Sequence, residues 1–116
     1  MNNPPVEESL DPADWEALRR LAHQAIDDGF DHLQGVRDRP VWQPVPEAIV
    51  ARLRQPAPRL PQGAESAYRE FKEIVMPYAM GNTHPRFWSW FMGNGTPFAA
   101  VGDFLAAVLN PNMGGG

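Results

Sequence analysis

The chain has 116 residues and a net charge of −4, with 43% hydrophobic and 21% charged residues. These are the proportions of one ordinary globular domain, not of a disordered or fibrous chain. Nine arginines and the single Lys72 lie scattered among fourteen acids, so there is no basic footprint for nucleic acid or an anionic membrane. Cysteine is absent, which excludes disulfides, cysteine-based zinc sites and thiol catalysis and leads us to expect a reducing, cytoplasmic setting.

Residues 1–10 (MNNPPVEESL) are acidic and proline-bearing, with neither the basic nor the apolar region of a signal peptide, and read as a flexible tail. Asp11-Pro12 has the form of a helix start, with Asp11 as N-cap, Pro12 at the first helical position and Asp14 in the first turn. Trp15, Leu18, Ala22, Ala25, Ile26, Phe30 and Leu33 then recur every three or four residues, which predicts an amphipathic helix closed by Gly35. Residues 36–45 (VRDRPVWQPV) predict a proline-broken extended connection. A short helix follows from Pro46 to about Arg54, with Ile49, Val50 and Leu53 on its apolar face. Residues 55–63 (QPAPRLPQG) cannot be helix or central strand, because their prolines fix φ and remove donors. A third helix is predicted from Glu65 to about Tyr78, with Tyr68, Phe71, Ile74, Val75 and Tyr78 on one side and Pro77 near its end.

Residues 80–96 (MGNTHPRFWSWFMGNGT) are the unusual part. Phe87, Trp88, Trp90 and Phe91 favour extended backbone, bracketed by Gly81, Gly93 and Gly95. Thr96-Pro97 repeats the cap-plus-proline start and opens a helix to about Leu109. That helix is apolar almost all round, which predicts burial on most sides, and Gly102 and its alanines leave room for another helix. It is too short to span a bilayer, which takes ~20 residues. The fold expected is all-α, about four helices with an extended aromatic segment. Four tryptophans and six phenylalanines are a heavy load for so small a core, so part of it is expected to be buried against another chain or domain.

The residues alone offer little catalytic chemistry. Ser9, Ser66 and Ser89 sit in no nucleophile signature. His23 and His32 are nine apart, not the i, i+4 pair a metal uses, and read as solvated helix-face residues. Gly93-Asn94-Gly95 reads as a tight turn. The segment 84–96 is either a buried strand whose aromatics fill a core or the wall of a flat apolar pocket, where the glycine backbone lets a ligand come close.

HPRFWSWFMGNGTP, followed by an apolar helix containing Asp103 and by NPNMGGG, resembles the N-terminal part of the group II pyridoxal-phosphate-dependent amino-acid decarboxylases, which include the aromatic-amino-acid, tyrosine, histidine and glutamate enzymes. The order upstream also fits, so the resemblance covers roughly residues 11–116, with its specific part in 84–116. It implies that residues 11–83 form a helical arm wrapping a partner subunit in a homodimer. It implies that 84–116 form a substrate-pocket segment and a buried helix leading into a cofactor domain outside this sequence. The parent enzyme is then an α/β protein of the fold type I pyridoxal-phosphate class, acting on an amino acid. Matched by position, Trp90, Phe91, Met92 and Gly93 line the substrate pocket and His84 sits at its approach. Met92 and Gly93 depart from the proline and threonine of the animal aromatic-amino-acid enzymes. The family's Schiff-base lysine has no counterpart here, because Lys72 lies between Glu70 and Glu73 on an amphipathic helix and reads as a surface lysine. The chain alone is therefore expected to be a catalytically inactive fragment that does not bind the cofactor. Two other readings are a free-standing helical dimerisation module and an aromatic platform for sugars using Arg86, Ser89 and Asn94.

Overall fold

A computed structural model describes residues 9–112 and Gly114; most of the tail expected over 1–10, and part of the C-terminal NPNMGGG run, lie outside the described residues. Four α-helices follow in chain order: α1 Trp15–Gln34, α2 Glu47–Leu53, α3 Ala64–Glu70 and α4 Pro97–Leu109. Among the described residues there is no strand, so the all-α expectation holds.

Helix α1 carries the predicted apolar stripe, but its N-cap is Asp14 rather than Asp11. The Asp14 carboxylate accepts the Ala17 backbone N–H at 2.9 Å, so the helix starts one turn later than Asp11-Pro12 suggested. Gly35 closes it as expected, donating its N–H to Asp31 and Leu33. A short 3₁₀ turn, Gly35–Asp38, then replaces the first part of the expected extended connection. Helix α2 and the proline-rich 55–63 link lie where the sequence puts them. Gly63, at φ +85°, starts α3 in a conformation only glycine takes readily.

The third predicted helix is continuous in space but not in winding. After Glu70 it widens into a π-type turn over Phe71–Val75 and tightens into a 3₁₀ turn over Met76–Tyr78. Pro77 explains the change: it has no N–H to donate one turn back, and its ring would strike the carbonyl four residues earlier. Ile74, 5% exposed on the widened turn, is the only buried hydrophobic residue among those described.

Helix α4 has the predicted start and end. Thr96 Oγ1 accepts the Ala99 N–H at 3.3 Å, and Asn110 closes it in the left-handed conformation at φ +41°. Its expected burial is not found: no α4 residue is buried, and Phe98 is 84% and Leu109 76% exposed. Ala100, Val101, Phe104 and Leu105 share a cleft with Ile26, Phe30 and Leu33 of α1.

The molecule is open in the same sense. It measures 67 × 44 × 28 Å with a radius of gyration of 18.7 Å, against ~13 Å for a compact domain of this length. Its surface of 10,530 Å² compares with the ~6,300 Å² that mass scaling gives for a compact 12.9 kDa monomer.

Candidate substrate-pocket segment

Three contacts place the aromatic segment. The Arg39 guanidinium donates to the His32 carbonyl at the end of α1, at 2.6 Å, folding the chain back along the helix. The Gln43 side-chain amide then donates to the Pro77 carbonyl at 3.0 Å. Between them, Val41 passes so close to Gly81 that a Cβ on that glycine would lie 1.6 Å from the Val41 carbonyl oxygen. The 39–43 connection therefore lies on the 76–84 stretch, and Trp42 stands beside the aromatic run.

That run is bent, not extended. A 3₁₀ turn, Gly81–Thr83, leads into it, and Trp90 sits at φ +56°, a left-handed conformation that a bulky side chain adopts only when its surroundings dictate it. The Phe87 and Trp90 rings pack with centroids 6.1 Å apart at 53°. The Asn82 side-chain amide donates to Asn94 Oδ1 at 3.2 Å, clasping the ends of the loop.

The sequence-predicted site residues part company here. Trp90 lines a recess of about 430 Å³ with Trp42, Met80, Phe87 and Ser89. Phe91 is fully exposed and Met92 partly so; a Cβ on Gly93 would meet no atom within 4 Å. His84 is 4% exposed. It lines a second cavity of about 220 Å³, which includes His32, Arg39, Trp42, Lys72, Met80 and Gly81. Trp42 and Met80 thus wall both spaces. Sequence reasoning passed over Trp42; the available signal was a tryptophan held between Pro40 and Pro44 in a short connection.

The strongest polar cluster lies apart from the aromatic loop. The Asp28 carboxylate of α1 accepts from the Tyr68 hydroxyl at 2.5 Å and the Lys72 ammonium at 2.8 Å. Those bonds, that of Lys72 first, hold Asp28 below the usual carboxylate range. Tyr68 is pushed up to about 12 by desolvation first, then by its bond to Asp28 and that carboxylate's charge. His32 is half-buried rather than solvated, and burial, aided by the Arg39 charge, pushes it down. His23 is exposed. Lys72 also lies 5.8 Å over the Tyr68 ring. An ammonium engaged in this way does not fit the role of an imine-forming amine, so the residues of this chain do not by themselves fit pyridoxal phosphate. Among the described residues no group of three His, Asp or Glu could hold a metal ion, and no helix is long and apolar enough to cross a membrane.

No family model matches the chain. Individual proteins do. It is 28% identical over 111 residues to an aromatic-L-amino-acid decarboxylase of Catharanthus roseus, covering 95% of this chain and 22% of that protein. It is 32% identical over 103 residues to a tyrosine decarboxylase of Oryza sativa, covering 84% of this chain and 19% of that one. The chain is similar to an N-terminal segment of the group II amino-acid decarboxylases. The crystal structure of Oryza sativa TDC with PLP and tryptamine superposes with a TM-score of 0.70 at 24% identity, over 88% of this chain and 21% of that one, which shows a shared fold. This decarboxylase-like chain spans about a fifth of the length of the curated relatives it matches.

Proposed function

We propose that this chain is the helical arm and substrate-side segment of a pyridoxal-phosphate-dependent decarboxylase that converts an aromatic L-amino acid to its amine and carbon dioxide. One observation carries the reading: the recess walled by Trp42, Met80, Phe87, Ser89 and Trp90 lies within a chain similar to decarboxylases of aromatic amino acids. Residues 84–116 supply the pocket segment and 11–83 the arm. Trp90 takes the substrate side chain, with Phe91, Met92 and the open backbone at Gly93 beside it. Contacts to the side chain, remote from the carboxylate, orient the bond that breaks. The cofactor belongs to parts of the protein outside this chain, and the cytoplasm is its setting.

Trp90 is 73% exposed, so Trp90→Ala is expected to leave the helical circular dichroism unchanged. In the protein carrying this chain, the same substitution is expected to lower kcat/KM for an aromatic amino acid on the order of 10–100-fold. An unaltered kcat/KM would contradict the placement.

The second part of the proposal is that the partner is another copy of this chain. The surface in excess of a compact monomer and the bare face of α4 support it. Sedimentation is expected to give a dimer or larger, and a clean monomer at micromolar concentration would overturn this. A Cβ on Gly102 would meet nothing within 4 Å, so Gly102→Ala should stabilise an isolated α4 by ~0.5–1 kcal/mol. In a dimer packed through that face, the same methyl should weaken association instead. A free-standing module, by contrast, would bury its own aromatics, whereas Trp88 is 90% and Trp90 73% exposed.

A further inference from the structure

His84 is the only buried polar residue among those described, and its bonds run to the backbone. Its Nδ1 accepts the Arg86 N–H at 3.0 Å. Its own N–H donates to the Gly81 carbonyl at 2.9 Å, and its carbonyl accepts the Phe87 N–H at 3.0 Å. Because Nδ1 accepts, the proton of the neutral ring sits on Nε2, which is buried without a partner. Leaving a buried donor unmade is costly, and here it accompanies a turn leading straight into the Phe87–Trp90 ring pair and the left-handed Trp90.

The Arg86 bond has a familiar form. An Asn, Asp or Ser side chain that accepts the N–H two residues ahead closes a local turn, and His84 Nδ1 does the same across Pro85. Pro85 fixes φ inside the turn, and the Asn82–Asn94 bond clasps the loop beyond it. We propose that His84 is a positioning residue: its Nδ1 latches the His84-Pro85-Arg86 turn and so sets where Phe87 and Trp90 stand, with no contact between the imidazole and the substrate. The kinetic arm of the test rests on the decarboxylase reading above; the spectroscopic arm does not.

The latch requires the Nε2–H tautomer, which ¹⁵N chemical shifts of the His84 ring report directly in the protein carrying this chain. Two variants then separate latch from contact. His84→Asn keeps an acceptor for the Arg86 N–H and exchanges the ring N–H for an amide donor on a shorter side chain; His84→Leu fills the space without an acceptor. The Asn variant is expected to keep kcat/KM within about threefold of the parent, and the Leu variant to lose on the order of tenfold or more, mainly through KM. The near-UV circular dichroism of the aromatic run should be kept in Asn and changed in Leu. A proton found on Nδ1, a Leu variant equal to the parent in both readouts, or an Asn variant as impaired as Leu with its helices intact would each overturn the proposal. If the protein decarboxylates no amino acid, the decarboxylase reading fails alone, and the tautomer and near-UV signals still decide for or against the latch. If His84→Leu does not fold, the ring tautomer and the Asn variant decide in the same way.

Discussion

Gly81→Ala is expected to lower the thermal unfolding midpoint by on the order of 10 °C or more. The added Cβ would lie 1.6 Å from the Val41 carbonyl oxygen and 2.7 Å from its carbonyl carbon. Both atoms are backbone, so no side-chain rotation relieves the overlap, and the 39–43 connection must lift from the 76–84 stretch. Trp42 moves with it and leaves the walls of both cavities. The matched control is Gly29→Ala within α1, where a Cβ meets nothing within 4 Å; it should gain ~0.5–1 kcal/mol from helix propensity. An unchanged midpoint in Gly81→Ala would mean that the connection does not cross there.

The Asp28–Tyr68–Lys72 cluster should make stability fall at both ends of the pH scale. Asp28 is held below its unfolded value, so its contribution is present above pH ~4 and lost as pH falls through the folded value. Tyr68 is raised to about 12, so its contribution is present below pH ~10 and lost as pH rises from there through 12. Asp28→Asn keeps an acceptor for the Tyr68 hydroxyl but removes the charge that binds Lys72. It should lower the midpoint at neutral pH by a few degrees and flatten both edges of the pH profile. A variant with the parent's profile would show that this cluster does not join α1 to α3 energetically.

The parts legible in the sequence are those set by short-range rules. Thr96-Pro97 before α4 and the prolines of 55–63 fix boundaries through local sterics and hydrogen bonds, and α4 is found at Pro97–Leu109 as expected, whereas α1 is capped by Asp14 and not by the predicted Asp11. The errors are of two physical kinds. The π-type turn at Phe71–Val75 follows from Pro77, whose effect on the winding before it a periodicity reading does not resolve, and the bent backbone at Trp90 depends on how neighbouring segments meet. Helix α4 is as apolar as the sequence predicts, but a helix is buried only where something covers it, and among the described residues it shares a cleft with α1 while none of its own residues is buried. The site shows the same division. The aromatic run is plain in HPRFWSWF, while Trp42 joins it only because Gly81 lets the 39–43 connection pass at close range.

The most direct measurement is release of labelled carbon dioxide from carboxyl-labelled L-tyrosine, L-tryptophan and L-DOPA by the native gene product carrying this chain, with pyridoxal phosphate added. The account predicts labelled carbon dioxide and the matching amine in equal amounts from at least one of them, with the rate cut by Trp90→Ala. No carbon dioxide from any of the three, from a protein that is folded and at its native length, would contradict it.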